Sequence, residues 1–332
     1  MTSPARLRWG ILGVAKINER LVPAFHESTT ADLLGIASRD GARAKQAAAE
    51  YQIPQAFDSY EALLASPDID AVYNPLPNTL HDEWTRKAAD AGKHILCEKP
   101  LCPTAAESLA LVEYCRAKGV RLMDGFMWPH HPRTQRIREL IDSDTIGRVK
   151  RVTASFTFNL EMDANNIRLQ PGKAGGSLLD VGCYTTFGIR WAFGEEPVKV
   201  FATAVEKFGV DVEMNGIFWF ADGRMASFDC GFTAPLRMRV EITGTKGVIE
   251  IPDMWLPSPE AAFSVQADGQ SPERHTVPGY NQIVCMLDDF AHAVRENRDP
   301  VPLVMEAVKG ARVMDALARS AREGRVVEVE QG

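Results

Sequence analysis

The stretch HILCEKPL, residues 94–101, ends an apolar run in a pair of opposite charges and a proline. His94 to Cys97 read as a short buried strand, so Lys99 stands just past a strand's carboxyl end. Pro100 biases the residue before it toward extended geometry and so aims the lysine from a stiff backbone. A lysine so placed can polarise a substrate oxygen, and desolvation can bring its pKa into a useful range. A plain Glu98–Lys99 surface pair would leave the same residues and requires no chemistry. A second set lies in GGSLLDVGCY, residues 175–184. Gly175 and Gly176 permit a tight approach, and Asp180 and Tyr184 share one face if the segment is helical. A carboxylate and a phenol together with a lysine make a proton-transfer set. A phenol of pKa about 10 needs a neighbouring cation to act at neutral pH, and Lys99 is the candidate. The alternative is a buried tyrosine beside a capping aspartate.

These side chains need a frame. From LRWGILGV to VRLMDGFM, apolar strands alternate with amphipathic or Ala-rich helices, which implies parallel βαβ units. Asp58 and Glu61 have capping-box spacing at the start of one short helix. After residue 126 the pattern changes to closely spaced alternating segments, VKRVTASFTF, VKVFATAV, GIFWF, RMASFDCGF and MRVEITG, with Asp222-Gly223 as a two-residue hairpin signal. We therefore expect an α/β chain with a domain at 1–125 and a second, built on an antiparallel or mixed sheet, at 126–332. Two helices close the chain.

The first strand runs into Gly13-Val14-Ala15-Lys16-Ile17-Asn18. A full dinucleotide fingerprint from Gly13 would have glycine at the second and third positions, where Ala15 and Asn18 stand. The signal is weak as a string, but it follows a strand and opens a helix, as phosphate binding at a helix N-terminus requires. The second strand ends in Ser38-Arg39, where an NAD site usually has a carboxylate for the ribose hydroxyls. Serine and arginine can instead hydrogen-bond a 2′-phosphate, an interaction on the order of 1.5–3 kcal/mol for the arginine. The cofactor expected is NADP, with NAD less favoured, although Asp40 lies close by.

Composition narrows the classes further. The chain has 332 residues and a net charge of −7, with both signs interspersed and no basic stripe, which argues against a nucleic-acid partner. No apolar run reaches the roughly 18 residues of a membrane span, and the start of the chain lacks the pattern of a secretion signal. Six scattered cysteines read as reduced core thiols of a cytoplasmic protein, and Cys97 and Cys102 lack the spacing of a zinc site, so no metal is expected.

GILGVAKI, SRD after the second strand, NPLPNTLH at 74–81, EKPL at 98–101 and GGSLLDVGCY, in this order over the whole chain, resemble the glucose–fructose oxidoreductase/inositol dehydrogenase/MocA family. Within it the chain is most similar to the branch of dimeric dihydrodiol dehydrogenases, NADP-dependent xylose dehydrogenases and sugar ketoreductases, in which a GxAxI turn is frequent. The resemblance implies a Rossmann domain followed by an α/β domain with a large open, mainly antiparallel sheet, whose exposed face makes a homodimer or homotetramer. It implies an often-cis Lys-Pro bond, Lys99 as the catalytic lysine and Asp180 and Tyr184 as its partners from the second domain. Gly13, Val14, Ala15, Lys16, Ile17, Ser38 and Arg39 would bind the adenosine and phosphate half of the cofactor. Pro75, Leu76, Asn78, His81, Glu98, Lys99 and Pro100 would lie along its nicotinamide half. Arg168 and His130 are substrate candidates; His130 and His131 could equally serve the domain junction, and Arg168 a surface loop. The activity implied is hydride transfer between NADP and a sugar or related polyhydroxylated substrate. The alternatives are a nucleotide-sugar ketoreductase and, in another class, a non-catalytic dinucleotide-binding sensor.

Overall fold

The computed structural model describes residues 6–331. They form two compact units: the first holds the N-terminal part to Cys102, Ala106–Met127 and Asn281–Ala307, and the second holds Pro103–Ala105, Trp128–Tyr280 and the segment from Val308 onward.

The first unit is built on six parallel strands: β1 (Leu7–Leu12), β2 (Ala31–Ala37), β3 (Gln55–Phe57), β4 (Ala71–Asn74), β5 (His94–Cys97) and β6 (Leu122–Asp124). Their order is β3-β2-β1-β4-β5-β6, that of a classic dinucleotide-binding sheet. The order reverses at β1, so a crevice opens beyond the carboxyl ends of β1 and β4. Helices α1 (Asn18–Glu27), α2 (Gly41–Glu50), α3 (Tyr60–Ala65), α4 (His81–Asp90) and α5 (Ala105–Ala117) follow the strands in turn. The cap of α3 is Ser59, whose side chain accepts from the Ala62 N–H. Asp58 of the expected capping box is one residue too early for that bond.

The second unit carries α6 (Pro132–Asp142), α7 (Cys183–Phe193) and nine strands: β7 (Val149–Thr157), β8 (Lys199–Lys207), β9 (Val210–Trp219), β10 (Met225–Gly231), β11 (Val240–Gly244), β12 (Gly247–Ile251), β13 (Phe263–Ala267), β14 (Glu273–His275) and β15 (Val327–Glu328). Their order is β14-β13-β12-β11-β7-β10-β9-β8-β15. β7 and β10 run parallel and the other neighbouring pairs antiparallel. The sheet alternates as a one-sided sheet must. Val200, Ala202, Phe218, Ala226 and Phe228 are buried on one face, while Val205, Ile217 and Met225 are exposed on the other. The turn at Asp222-Gly223 is wider than a two-residue hairpin, because Phe220 pairs with Arg224 and leaves three residues between.

The helices that close the chain, α8 (Gln282–Arg295) and α9 (Met305–Glu323), divide differently from the expected cut at 125/126. Asn281–Ala307 returns to the first unit. The reason is packing: α8 buries Ile283, Met286, Leu287 and Phe290 on one stripe. Phe290 meets Trp9 at 5.3 Å between ring centroids. Asp288 accepts from Ser28 at 2.6 Å. Among the described residues no helix is long and apolar enough to cross a membrane. All six cysteines are free, and five are buried.

Candidate active site

The turn after β1 is shaped by Gly13, whose φ of +117° suits glycine; a Cβ there would lie 3.1 Å from a Leu76 methyl. Its N–H donates to the Ala37 carbonyl at 2.9 Å. The N–H groups of Val14, Ala15, Lys16 and Ile17 have no protein acceptor among the described residues. Ile17 precedes α1 without a side-chain cap. Four unpaired N–H groups at a helix N-terminus form an anion cradle, and this is the fit expected for a pyrophosphate.

At the end of β2, Ser38 is buried and its hydroxyl accepts from the Asp40 N–H at 3.2 Å. Arg39 is exposed and has no ion pair among the described residues. Asp40 caps α2, and its carboxylate accepts from the Ala42 and Arg43 N–H groups. The acid that argued against a 2′-phosphate is thus committed to the helix. Arg43, which the sequence reading did not single out, reaches back to the Val14 carbonyl at 3.4 Å. It spans from α2 to the glycine turn and adds a second cation at this edge. Its position four residues after Arg39 was the available signal.

Lys99 follows β5, and its bond to Pro100 is cis. The backbone on both sides of the lysine is tied down. The Glu98 N–H donates to Asn74 at the end of β4 at 3.0 Å. The Glu98 carboxylate accepts from the Tyr73 hydroxyl at 2.5 Å and from the Lys99 N–H at 3.2 Å. Beyond the lysine, the Pro100 carbonyl lies 2.9 Å from Nδ1 of His81, whose Nε2 is 2.8 Å from the Leu76 carbonyl. Lys99 itself is half-buried. His81 was expected to line the cofactor. It is instead wholly buried, with both ring nitrogens on backbone carbonyls, and burial lowers its pKa. Pro100 is likewise buried. Leu76 is nearly so and packs on Gly13. Pro75 and Asn78 keep partial exposure at the mouth of the turn. Tyr73 is the residue missed here. A hydroxyl in a four-residue buried strand must find a partner, and that was its legible signal.

In the second unit, residues 175–184 form a glycine turn, a π-helical turn at Leu178–Gly182 and the start of α7. Each glycine answers a close approach. A Cβ on Gly175 would lie 2.5 Å from the Arg168 carbonyl, and one on Gly176, at φ +114°, within 2.3 Å of Asp211. Asp211 accepts from the Ser177 hydroxyl at 2.6 Å and the Leu178 N–H at 2.7 Å, and so pins the start of the π turn. Burial raises its pKa, opposed by these bonds. A lone π turn marks a helix bent away from its regular ladder, often at a functional site. It carries Asp180, whose carboxylate accepts from Arg168 Nε at 2.7 Å. Tyr184 is the second residue of α7 and is only 6% exposed. Its ring stands edge-on to Phe156 at 5.2 Å. Arg168 and Asp180 are therefore brought together, and Arg168 keeps 42% of its side-chain surface. His130, offered as a substrate contact, is 3% exposed and belongs to the interior. His131 accepts the Arg133 N–H as the cap of α6, a structural role, and burial holds its pKa down at about 4.

Strand order, glycine turn and the unpaired N–H groups define a Rossmann-type dinucleotide-binding protein. Comparison with known families agrees: the description "Oxidoreductase family, NAD-binding Rossmann fold" matches residues 7–126, and "GFO/IDH/MocA C-terminal domain" matches residues 134–250. The chain belongs to the Gfo/Idh/MocA family of oxidoreductases. It is 39% identical to D-xylose 1-dehydrogenase (NADP(+)) 2 of Haloferax volcanii, covering 98% of this chain and 100% of that one. It is 36% identical to trans-1,2-dihydrobenzene-1,2-diol dehydrogenase of Xenopus tropicalis over 76% of this chain and 77% of the relative. A crystal structure of the 3-ketoreductase of Actinomadura kijaniata with NADP and TDP-benzene superposes with a TM-score of 0.88 at 29% identity, covering 95% and 98% of the two chains.

Proposed function

We propose that this protein is an NADP-dependent dehydrogenase acting on a CH–OH group of a sugar or a related polyhydroxylated substrate. The carrying observation is the edge of β2, where Arg39 stands without a counter-ion among the described residues while Asp40 is spent on the α2 cap. That arrangement favours a 2′-phosphate over a bare ribose. The relatives named for NADP and for D-xylose or dihydrodiol substrates support the same reading.

NADP, when bound, supplies or takes up the hydride. The unpaired N–H groups of Val14 to Ile17 hold its pyrophosphate, and Ser38, Arg39 and Arg43 its 2′-phosphate. Lys99 polarises the substrate oxygen. Tyr184 gives or takes the hydroxyl proton, and Asp180 with Arg168 orients substrate hydroxyls. Glu98 and His81 act through the backbone that carries Lys99. We assign the enzyme to the cytoplasm and to a homo-oligomer whose contact is the open sheet face, where Val205, Ile217 and Met225 stand 55%, 38% and 41% exposed.

The test is titration with NADPH and NADH by fluorescence quenching, followed by NADP-coupled assay of aldoses and trans-dihydrodiols. A ten- to hundredfold preference for NADPH that falls to near unity in Arg39→Ala supports the assignment. Equal affinities in the unaltered protein overturn it. Tight binding with no turnover on any of these substrates favours the sensor alternative.

A further inference from the structure

Asn18 occupies the fingerprint position that usually needs a small residue for close helix–strand packing. It is 0% exposed. Its amide nitrogen donates to the Gly13 carbonyl at 3.0 Å. Its amide oxygen has no hydrogen-bond partner among the described residues. Exchanging oxygen and nitrogen would set two acceptors face to face, so the Gly13 carbonyl fixes the orientation. A buried acceptor left unmet is costly, and an apolar residue of similar volume would fill the space without that cost. What the asparagine adds is the one bond to Gly13.

That bond has a geometric consequence. In a trans peptide the C=O and the following N–H point in opposite directions. Drawing the Gly13 carbonyl inward, beneath the start of α1, therefore turns the Val14 N–H outward. It is the first of the four unpaired N–H groups in the turn. Gly13 is held from the other side through its own N–H on Ala37. The Gly13–Val14 peptide is thus held at its carbonyl by Asn18, and the preceding Leu12–Gly13 peptide by its N–H on Ala37.

We infer that Asn18 is a positioning residue for the dinucleotide pyrophosphate: its amide locks the Gly13–Val14 peptide with the N–H facing the ligand and the carbonyl facing away. This rests on the dinucleotide-binding reading of the turn. It also explains how the turn tolerates a side chain at this position. The brace acts on a part shared by NADPH and NADP as well as NADH, so it contributes affinity and not cofactor preference.

The experiment compares the unaltered chain with Asn18→Leu and Asn18→Ala, titrating each with NADPH, NADH and adenosine 2′-monophosphate by calorimetry. The last probe carries the 2′-phosphate but no pyrophosphate. Loss of one neutral hydrogen bond predicts NADPH and NADH each about three- to tenfold weaker, with adenosine 2′-monophosphate unchanged. Asn18→Ala gives the same split if the leucine variant fails to fold. NADPH affinity equal to that of the unaltered chain overturns the inference. So does a parallel loss for all three probes, which would mean that the substitution simply loosens the fold. An unaltered chain that binds neither dinucleotide removes the reading beneath it, a different failure from either.

Discussion

Lys99 and Asp180 are held by different kinds of structure. Lys99 sits in the first unit between two backbone anchors, with Glu98 tied to Asn74 and Tyr73, and Pro100 tied to His81. Tyr73 and His81 are wholly buried. Asp180 sits in the second unit on a π turn whose start is pinned by Asp211, and its own carboxylate leans on Arg168, an exposed side chain. Buried hydrogen bonds in a low-dielectric surrounding hold geometry tightly, and a half-exposed ion pair holds it loosely. The frame around Lys99 is therefore preorganised, and the carboxylate of Asp180 is adjustable. In the proposed function a fixed lysine suits a group that acts on the reacting oxygen, and an adjustable carboxylate suits substrates that differ in their other hydroxyls.

The largest effects fall on the groups proposed to act on the reacting atoms. Lys99→Met should lower kcat by about 10²–10⁴-fold on whichever substrate the NADP-coupled screen yields, with NADPH affinity within about twofold. Steady-state kinetics beside fluorescence titration checks both parts. Near-normal turnover would remove Lys99 from the chemistry and with it the first half of the comparison. Tyr184→Phe should lower kcat by about 10²-fold with KM little changed. If only KM rises, the phenol binds substrate without moving its proton.

These residues were legible because their types stand out where strands and helices end. Gly13 directly follows β1, and Arg39 and Lys99 each stand two residues past the ends of β2 and β5. Periodicity likewise placed the Rossmann alternation and the change of pattern after residue 126. What the sequence hid depends on partners far along the chain. His81 stands at the N-terminus of α4 in a polar stretch, and only the fold shows that it reaches the Pro100 carbonyl. Asp211 lies 33 residues from the Leu178 N–H that it accepts, so its alternating strand reads as a half-exposed edge. The π turn has no compositional signal, since i,i+4 and i,i+5 bonding draw on the same residues. Helix α8 reads as amphipathic from sequence, but which unit its apolar stripe joins depends on Trp9 and Ser28, at the far end of the chain.

A smaller effect tests whether the rigid anchor matters. Tyr73→Phe removes one hydroxyl from a buried ring and leaves the Glu98 oxygen short of a donor. Turnover should fall about tenfold, with the affinity for NADPH retained, because the displaced backbone carries Lys99 and not the pyrophosphate turn. A fall in melting temperature with kcat unchanged would make Tyr73 a packing residue alone and weaken the claim that this end is preorganised.

The smallest effect should come from the adjustable end. Arg168 and Asp180 meet at 2.7 Å, but their side chains are 42% and 20% exposed. A pair so open to solvent is worth roughly 0–1 kcal/mol and is screened by salt. If Arg168 acts only by orienting Asp180, Arg168→Gln should cost about two- to fivefold in kcat/KM. The unaltered enzyme should lose a similar factor between low salt and about 1 M salt, while the variant should be insensitive. A different pattern would redraw the comparison. A KM increase above about tenfold, with kcat and its salt dependence preserved, would mean that the guanidinium grips the substrate directly. The second unit would then contribute a fixed contact of its own, and the looseness inferred from its exposure would not extend to the bound state.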